Sequence, residues 1–255
     1  MTELISQNFN LHSLKIPAQT AGMKVFYSAG LTHVDSGLSC DTFNIIHITN
    51  GRALTATELT NAINHYRHKS YAFCIWISEE ERTEQVQAIL SELGVVEQNN
   101  EPGMILDLQA WQPVQHEWHA SIRIVQSLQD LSDFSAVIAK NWTPPDQNVI
   151  DYYNKVSGNI LDERNNLILA VCYADQQPAS TVELFPSDDA TVGLYGLATL
   201  ADFRGKGIGS AVMSFALNTA KERGYKHAIL QASADGLNIY QRLGFRVITH
   251  YYEYA

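Results

Sequence analysis

Residues Val192–Gly209 read VGLYGLATLADFRGKGIG: an apolar strand running into Arg204-Gly205-Lys206-Gly207-Ile208-Gly209, with a helical apolar periodicity starting at once. Glycines between a strand and a helix let backbone N–H groups approach a ligand with no Cβ in the way. The helix start adds unpaired donors and the positive end of its dipole, so the turn suits an anion, above all a phosphate.

Spacing excludes two of the phosphate turns. A Walker loop needs Gly-Lys followed directly by Ser or Thr, and here Gly205-Lys206 is followed by Gly207. The dinucleotide fingerprint needs its last glycine three residues after the second, where Ser210 stands, and no βαβ unit precedes the turn. What remains is Gln/Arg-x-x-Gly-x-Gly/Ala, matched by Arg204, Gly207 and Gly209. Taken alone, the pattern has a plain tight strand-to-helix turn as its lesser alternative.

The residues downstream extend the pattern. Ile208, Ala211, Val212, Phe215, Ala216 and Ala220 follow helical spacing, and Gly224 is placed as a C-cap. His227–Ala232 reads as a short buried strand. Next comes a short helix bearing Tyr240, then Leu243-Gly244-Phe245 and a closing strand Arg246–Tyr254. This order, with the loop, resembles the GNAT superfamily of N-acetyltransferases over residues 121–255. Upstream, the strand Ser121–Val125, helices near Asp130–Asn141 and Val149–Val156, and the hairpin Leu167–Leu184 complete the order β α α β β β α β α β.

The resemblance implies an α/β (α+β) acyl-coenzyme A N-acyltransferase fold, a mixed central sheet flanked by helices. It also implies acetyl-coenzyme A as co-substrate. By position, the backbone of Leu197, Ala198 and Thr199 would pair with pantetheine, and Arg204, Gly205, Lys206, Gly207, Ile208, Gly209 and Ser210 would cradle the diphosphate. Lys206 is as readily a solvated loop lysine. Tyr240 would protonate the departing thiolate, since an unperturbed phenol, with a pKa near ~10, is protonated at neutral pH. Its competing reading is a core aromatic. Ser233 departs from the asparagine that many members carry there. No general base is identifiable; Glu183 is the nearest carboxylate, and a solvated strand-end group or an ion pair is the plainer reading.

Pro113–Ser121 (PVQHEWHAS) reads as a linker, giving domains at 1–112 and 121–255. The first half echoes the end of the second. Phe43–Thr49, a helix Thr55–Arg67 with a capping box from Thr55 to Glu58, a strand Tyr71–Ile77 and Leu93-Gly94-Val95 follow in the same order. Its turn, Asn50–Leu54, lacks the glycine pair, and Leu90 takes the slot of Tyr240. It reads as a second, incomplete GNAT-like domain that packs and walls the pocket, with unrelated α/β structure as the alternative.

Composition narrows the partners. The 255 residues carry a formal charge of −10, which repels nucleic acid. The N-terminus MTELISQNFN lacks a signal-peptide pattern, no apolar run is long enough to cross a bilayer, and Cys40, Cys74 and Cys172 read as buried thiols. The expectation is a cytoplasmic monomer or homodimer with no membrane partner. His65/His68 and His116/His119 have helical spacing without a third ligand, so no metal is expected. Tyr251, Tyr252 and Tyr254 read as packing residues of the last strand. The acceptor would be a small-molecule amine or a peptide amino group. The competing function is a non-catalytic acyl-coenzyme A binder.

Overall fold

The computed structural model describes residues 1–255, which fold as two compact units. The first comprises Met1–Met104, Gln231–Leu237 and Val247–Ala255; the second comprises Ile105–Leu230 and Asn238–Arg246.

The first unit opens with a helix absent from the sequence expectations, α1 (Thr2–Gln19). Strands β1 (Lys24–Tyr27), β2 (Leu31–Asp35), β3 (Ile45–Ile48) and β4 (Cys74–Ser78) are followed by β5 (Glu97–Asp107). Helix α2 (Ala56–Arg67) joins β3 to β4, and α3 (Glu84–Glu92) leads into β5. The expected capping box is formed: the Glu58 N–H donates to Thr55 Oγ1 at 3.2 Å, and the Thr55 N–H donates back to Glu58 at 2.9 Å. Strands β3 and β4 pair in parallel, and β4 pairs antiparallel with β11 (Arg246–Tyr254), the last strand of the chain. Leu59, Ile63 and Tyr66 of α2 close one face of this sheet over Ile46, Ile48, Ile75 and Ile77. The opposite face meets α1, where the Phe9 and His47 rings lie edge to face at 4.9 Å.

In the second unit β6 (Ile122–Ile124), β7 (Ile168–Ala174), β8 (Gln177–Pro186) and β9 (Thr191–Thr199) form an antiparallel run, and β10 (His227–Gln231) joins β9 in parallel. Strands β7 and β8 are buried along nearly their whole length because helices cover them, so they read as continuous apolar runs. Helices α4 (Leu128–Ala139) and α5 (Gln147–Ile160) pack on each other through Phe134 and Tyr153, whose rings lie 5.3 Å apart. Helix α6 (Ile208–Glu222) packs on β8 and β9, and α7 (Leu237–Arg242) is a short turn of helix.

Pro113–Ser121 is not a free linker. Asn218 of α6 accepts from Trp111 Nε1 at 3.0 Å and from the Val114 N–H at 3.2 Å, and it donates to Val114 O at 2.8 Å. His119 Nε2 lies 2.9 Å from Ser214 Oγ. The proline and polar residues that suggest a linker are held down by partners about a hundred positions away. All three cysteines are buried and unpaired with one another, and no helix is long and apolar enough to cross a membrane.

Candidate active site

The site is built at one end of β9. Thr181 faces Ala198 across the β8–β9 ladder, whereas Glu183 faces Tyr195, so β9 carries one residue more than β8 between those pairs. Gly196 absorbs the irregularity with φ +58°, a left-handed conformation natural to glycine at a bulge. Two hydroxyls bond to β9 carbonyls beside it: Thr181 Oγ1 donates to Gly196 O at 2.8 Å, and Ser180 Oγ to Ala198 O at 2.7 Å. On its other edge β9 pairs with β10 only from Thr191 to Gly193. Leu197, Ala198 and Thr199 therefore lie beyond that pairing, on the kinked end of the strand.

From Thr199 the chain passes through a short 3-10 turn, Ala201–Phe203, into the glycine segment. Arg204 Nε donates back to Thr199 O at 2.9 Å, closing the turn on its own strand. Gly205 and Gly207 have φ of +74° and +79°, and nothing lies within 4 Å of where a Cβ on Gly205 would sit. A Cβ on Gly209 would come within 3.2 Å of Thr199 Oγ1. Gly207 is the N-cap of α6 and supplies no side-chain acceptor. The backbone N–H groups from Gly205 through Ser210 accordingly donate to no protein acceptor, and the α6 dipole adds positive potential to the same spot. Arg204 and Lys206 are exposed at the rim, with Lys206 Nζ 5.2 Å from the centre of the Phe203 ring. Consecutive main-chain donors and two cations thus lie together at this turn, the kind of arrangement that can hold an anion.

Tyr240 sits on α7, 7% exposed, with its ring edge-on to Phe245 at 6.0 Å. Gly244, at φ +96°, ends the helix, and the Phe245 N–H bonds back to Tyr240 O at 3.0 Å. Ile239 of the same helix approaches within 4.0 Å of a Cβ placed on Gly209, so α7 adjoins the glycine turn. Ser233 bonds locally, accepting the Gly236 N–H through its carbonyl at 3.1 Å.

Glu183 departs from expectation. It lies inside β8, 6% exposed, and is not a solvated strand-end group. Tyr152 and Tyr153 of α5 are its neighbours; burial, and then the Glu183 charge, push both phenols well above the usual tyrosine range. Two residues near the turn escaped the sequence reading. Trp118 Nε1 donates to Lys206 O at 3.2 Å, and His116 Nε2 lies 3.4 Å from where a Gly207 Cβ would be. The spacing of His116 and His119 gave no hint of this. A glycine inside a strand, by contrast, is a legible bulge signal, and Gly196 carried it. No group of three or more His, Cys, Asp or Glu side chains is arranged to hold a metal ion. His65 instead bonds Asp35 at 2.9 Å.

Residues 126–245 match the sequence model of the Acetyltransferase (GNAT) family. That segment is a GNAT-family acetyltransferase domain. It spans the strands, the turn and the tyrosine helix of the site. A GCN5-related N-acetyltransferase from Kribbella flavida superposes with a TM-score of 0.70 at 15% identity, covering 98% of this chain and 94% of that one. A functionally unknown conserved protein from Staphylococcus epidermidis ATCC 12228 gives 0.67 at 16%, covering 91% and 92%. A tandem GNAT protein from the clavulanic acid biosynthesis pathway gives 0.60 at 12%, covering 99% and 94%. At these identities the likeness is one of fold. It extends the GNAT architecture beyond the GNAT domain to nearly the whole chain.

Proposed function

We propose that the protein is an acetyl-coenzyme A-dependent N-acetyltransferase acting on a primary amine of a small molecule or peptide. The observation that carries this reading is the run of N–H groups from Gly205 to Ser210 with no protein acceptor, flanked by Arg204 and Lys206. Main-chain donors gathered at a glycine turn and a helix N-terminus suit an acceptor of opposite charge, and a diphosphate fits. The Leu197–Thr199 backbone, free of β10, takes the pantetheine arm and offers an N–H to the thioester oxygen.

The chemistry is direct transfer. The neutral amine attacks the thioester carbonyl, a C–N bond forms, the C–S bond breaks, and Tyr240 gives its proton to the sulfur. Glu183, buried beside Tyr152 and Tyr153, takes the proton the amine loses. The first unit is a degenerate copy of the same fold. There the turn after β3 is already filled, because Gly51 N–H donates to Glu81 Oε2 at 2.7 Å. Three buried, unpaired thiols suit a reducing compartment such as the cytoplasm.

The test follows thiol release from acetyl-coenzyme A against a panel of amines. Release that depends on the amine supports the reading. Coenzyme binding without release for any amine leaves an acyl-coenzyme A binder, and absence of coenzyme binding overturns the site itself.

A further inference from the structure

Two histidines of the segment before β6, His116 and His119, stand against the glycine turn and α6 and take opposite parts there. His119 is spent on the fold: its Nε2 lies 2.9 Å from Ser214 Oγ and 3.1 Å from Ala211 O, both on α6. His116 is not. It caps the 3-10 turn Glu117–Ser121, accepting the Trp118 N–H at Nδ1 over 3.3 Å. A neutral imidazole carries one N–H, so with Nδ1 accepting, the proton stands on Nε2. That Nε2–H meets no acceptor in the protein.

The position of this donor is telling. A Cβ on Gly207 would find only two atoms within 4 Å, His116 Nε2 at 3.4 Å and Cε1 at 3.5 Å. A Cβ on Gly205 would find none. The space over the two left-handed glycines is thus open except for one edge of the His116 ring, the edge that bears the N–H. The next side chain but one holds the segment in place, since Trp118 Nε1 donates to Lys206 O at 3.2 Å. His116 is therefore tied to the very turn whose N–H groups, from Gly205 to Ser210, also donate to no protein acceptor. Donors brought together around one space from two segments of the chain favour an anion there.

The glycine at 207 gains a second reason from this arrangement. Its backbone conformation already demands glycine, and a side chain there would also fill the gap between the main chain and the imidazole.

We infer that His116 is a coenzyme ligand, its Nε2–H donating to the diphosphate beside Gly207. The inference rests on the acetyl-coenzyme A reading above. It adds to the turn a side chain that lies before the matched GNAT segment, residues 126–245.

The full-length protein, His116→Phe and His116→Gln are titrated calorimetrically with coenzyme A and with dephospho-coenzyme A, which keeps the diphosphate and lacks the 3′-phosphate. Phenylalanine keeps a ring against Gly207 and has no donor; glutamine has an N–H donor and no ring. Affinity is expected to fall in the order wild type, His116→Gln, His116→Phe. The last should be about tenfold weaker (about 1.4 kcal/mol) for both ligands, with the ligand-free thermal midpoints unchanged. A ring that only props the turn gives the reverse order, with His116→Phe at the wild-type level, and overturns the inference. A loss seen with coenzyme A but not with dephospho-coenzyme A would move His116 to the 3′-phosphate and overturn it as well. Wild-type protein that binds neither ligand overturns the reading beneath it, an outcome distinct from wild-type binding that His116→Phe leaves intact.

Discussion

Arg204 donates through Nε to the carbonyl of Thr199 at 2.9 Å, tying the start of the glycine turn to the end of the strand that precedes it. Arg204 is exposed beside the Gly205–Ser210 segment, whose N–H groups donate to no protein acceptor. Arg204→Ala removes both a shape restraint and a charge, so coenzyme A affinity is expected to fall about 10- to 100-fold, from charged hydrogen bonds of about 1.5–3 kcal/mol. Arg204→Lys should recover only part, because an ammonium does not reproduce the guanidinium fork. Calorimetric titration of both variants checks the ranking.

Gly207 separates strain from binding. Alanine there must hold φ +79° and meets His116 Nε2 at 3.4 Å. The left-handed backbone costs roughly 1–2 kcal/mol in a non-glycine residue. Gly224→Ala is the control, with φ +88° and open space around its Cβ, at the far end of α6. Both variants should lose stability by similar amounts in thermal denaturation, but only Gly207→Ala should lose coenzyme binding.

Tyr240→Phe tests the proton donor. Its ring sits 7% exposed against Phe245, and removal of the hydroxyl keeps that packing. Turnover should drop about 10²- to 10⁴-fold with coenzyme affinity unchanged, the range for loss of general acid catalysis. Unchanged turnover would leave Tyr240 as a core aromatic.

Glu101 of β5 makes stability pH-dependent. Burial, and then the Glu253 carboxylate, push its carboxyl up to about 7. The folded state thus keeps a proton that the unfolded chain releases near pH ~4.3. The contribution is full below that value and is lost as pH rises through about 7. Glu101→Gln should therefore raise the denaturation midpoint near about pH 8, by up to roughly 3 kcal/mol, and change little near about pH 4. Urea unfolding at the two pH values measures the difference.

What the sequence made legible was local chemistry. The glycine turn, α6, the tyrosine helix and the Thr55 capping box each announce themselves within a few residues, through backbone freedom, periodicity or a paired cap. Helix α1 did not, because its buried stripe includes Asn8, Ser13 and Pro17, and it covers a sheet face bearing Thr32 and His47. The partner of β11 was hidden for another reason. Its tyrosines mark a strand, but the pairing of Tyr251 with Ser78 spans most of the chain, and nothing local specifies it. Glu183 was misread through its boundary: β8 runs on to Pro186, which carries the carboxylate into the interior. In the glycine turn Gly205 and Gly207 are required by their own left-handed conformation, whereas Trp118, His116 and Asn218 matter only for what they touch in the folded chain.

The most direct measurement is calorimetric titration of the full-length protein with acetyl-coenzyme A. One saturable site per chain is expected, lost in Gly207→Ala, because the second unit has an open turn while Glu81 fills the corresponding turn of the first. No saturable heat, or binding that survives Gly207→Ala, would contradict a diphosphate held by the Arg204–Ser210 backbone.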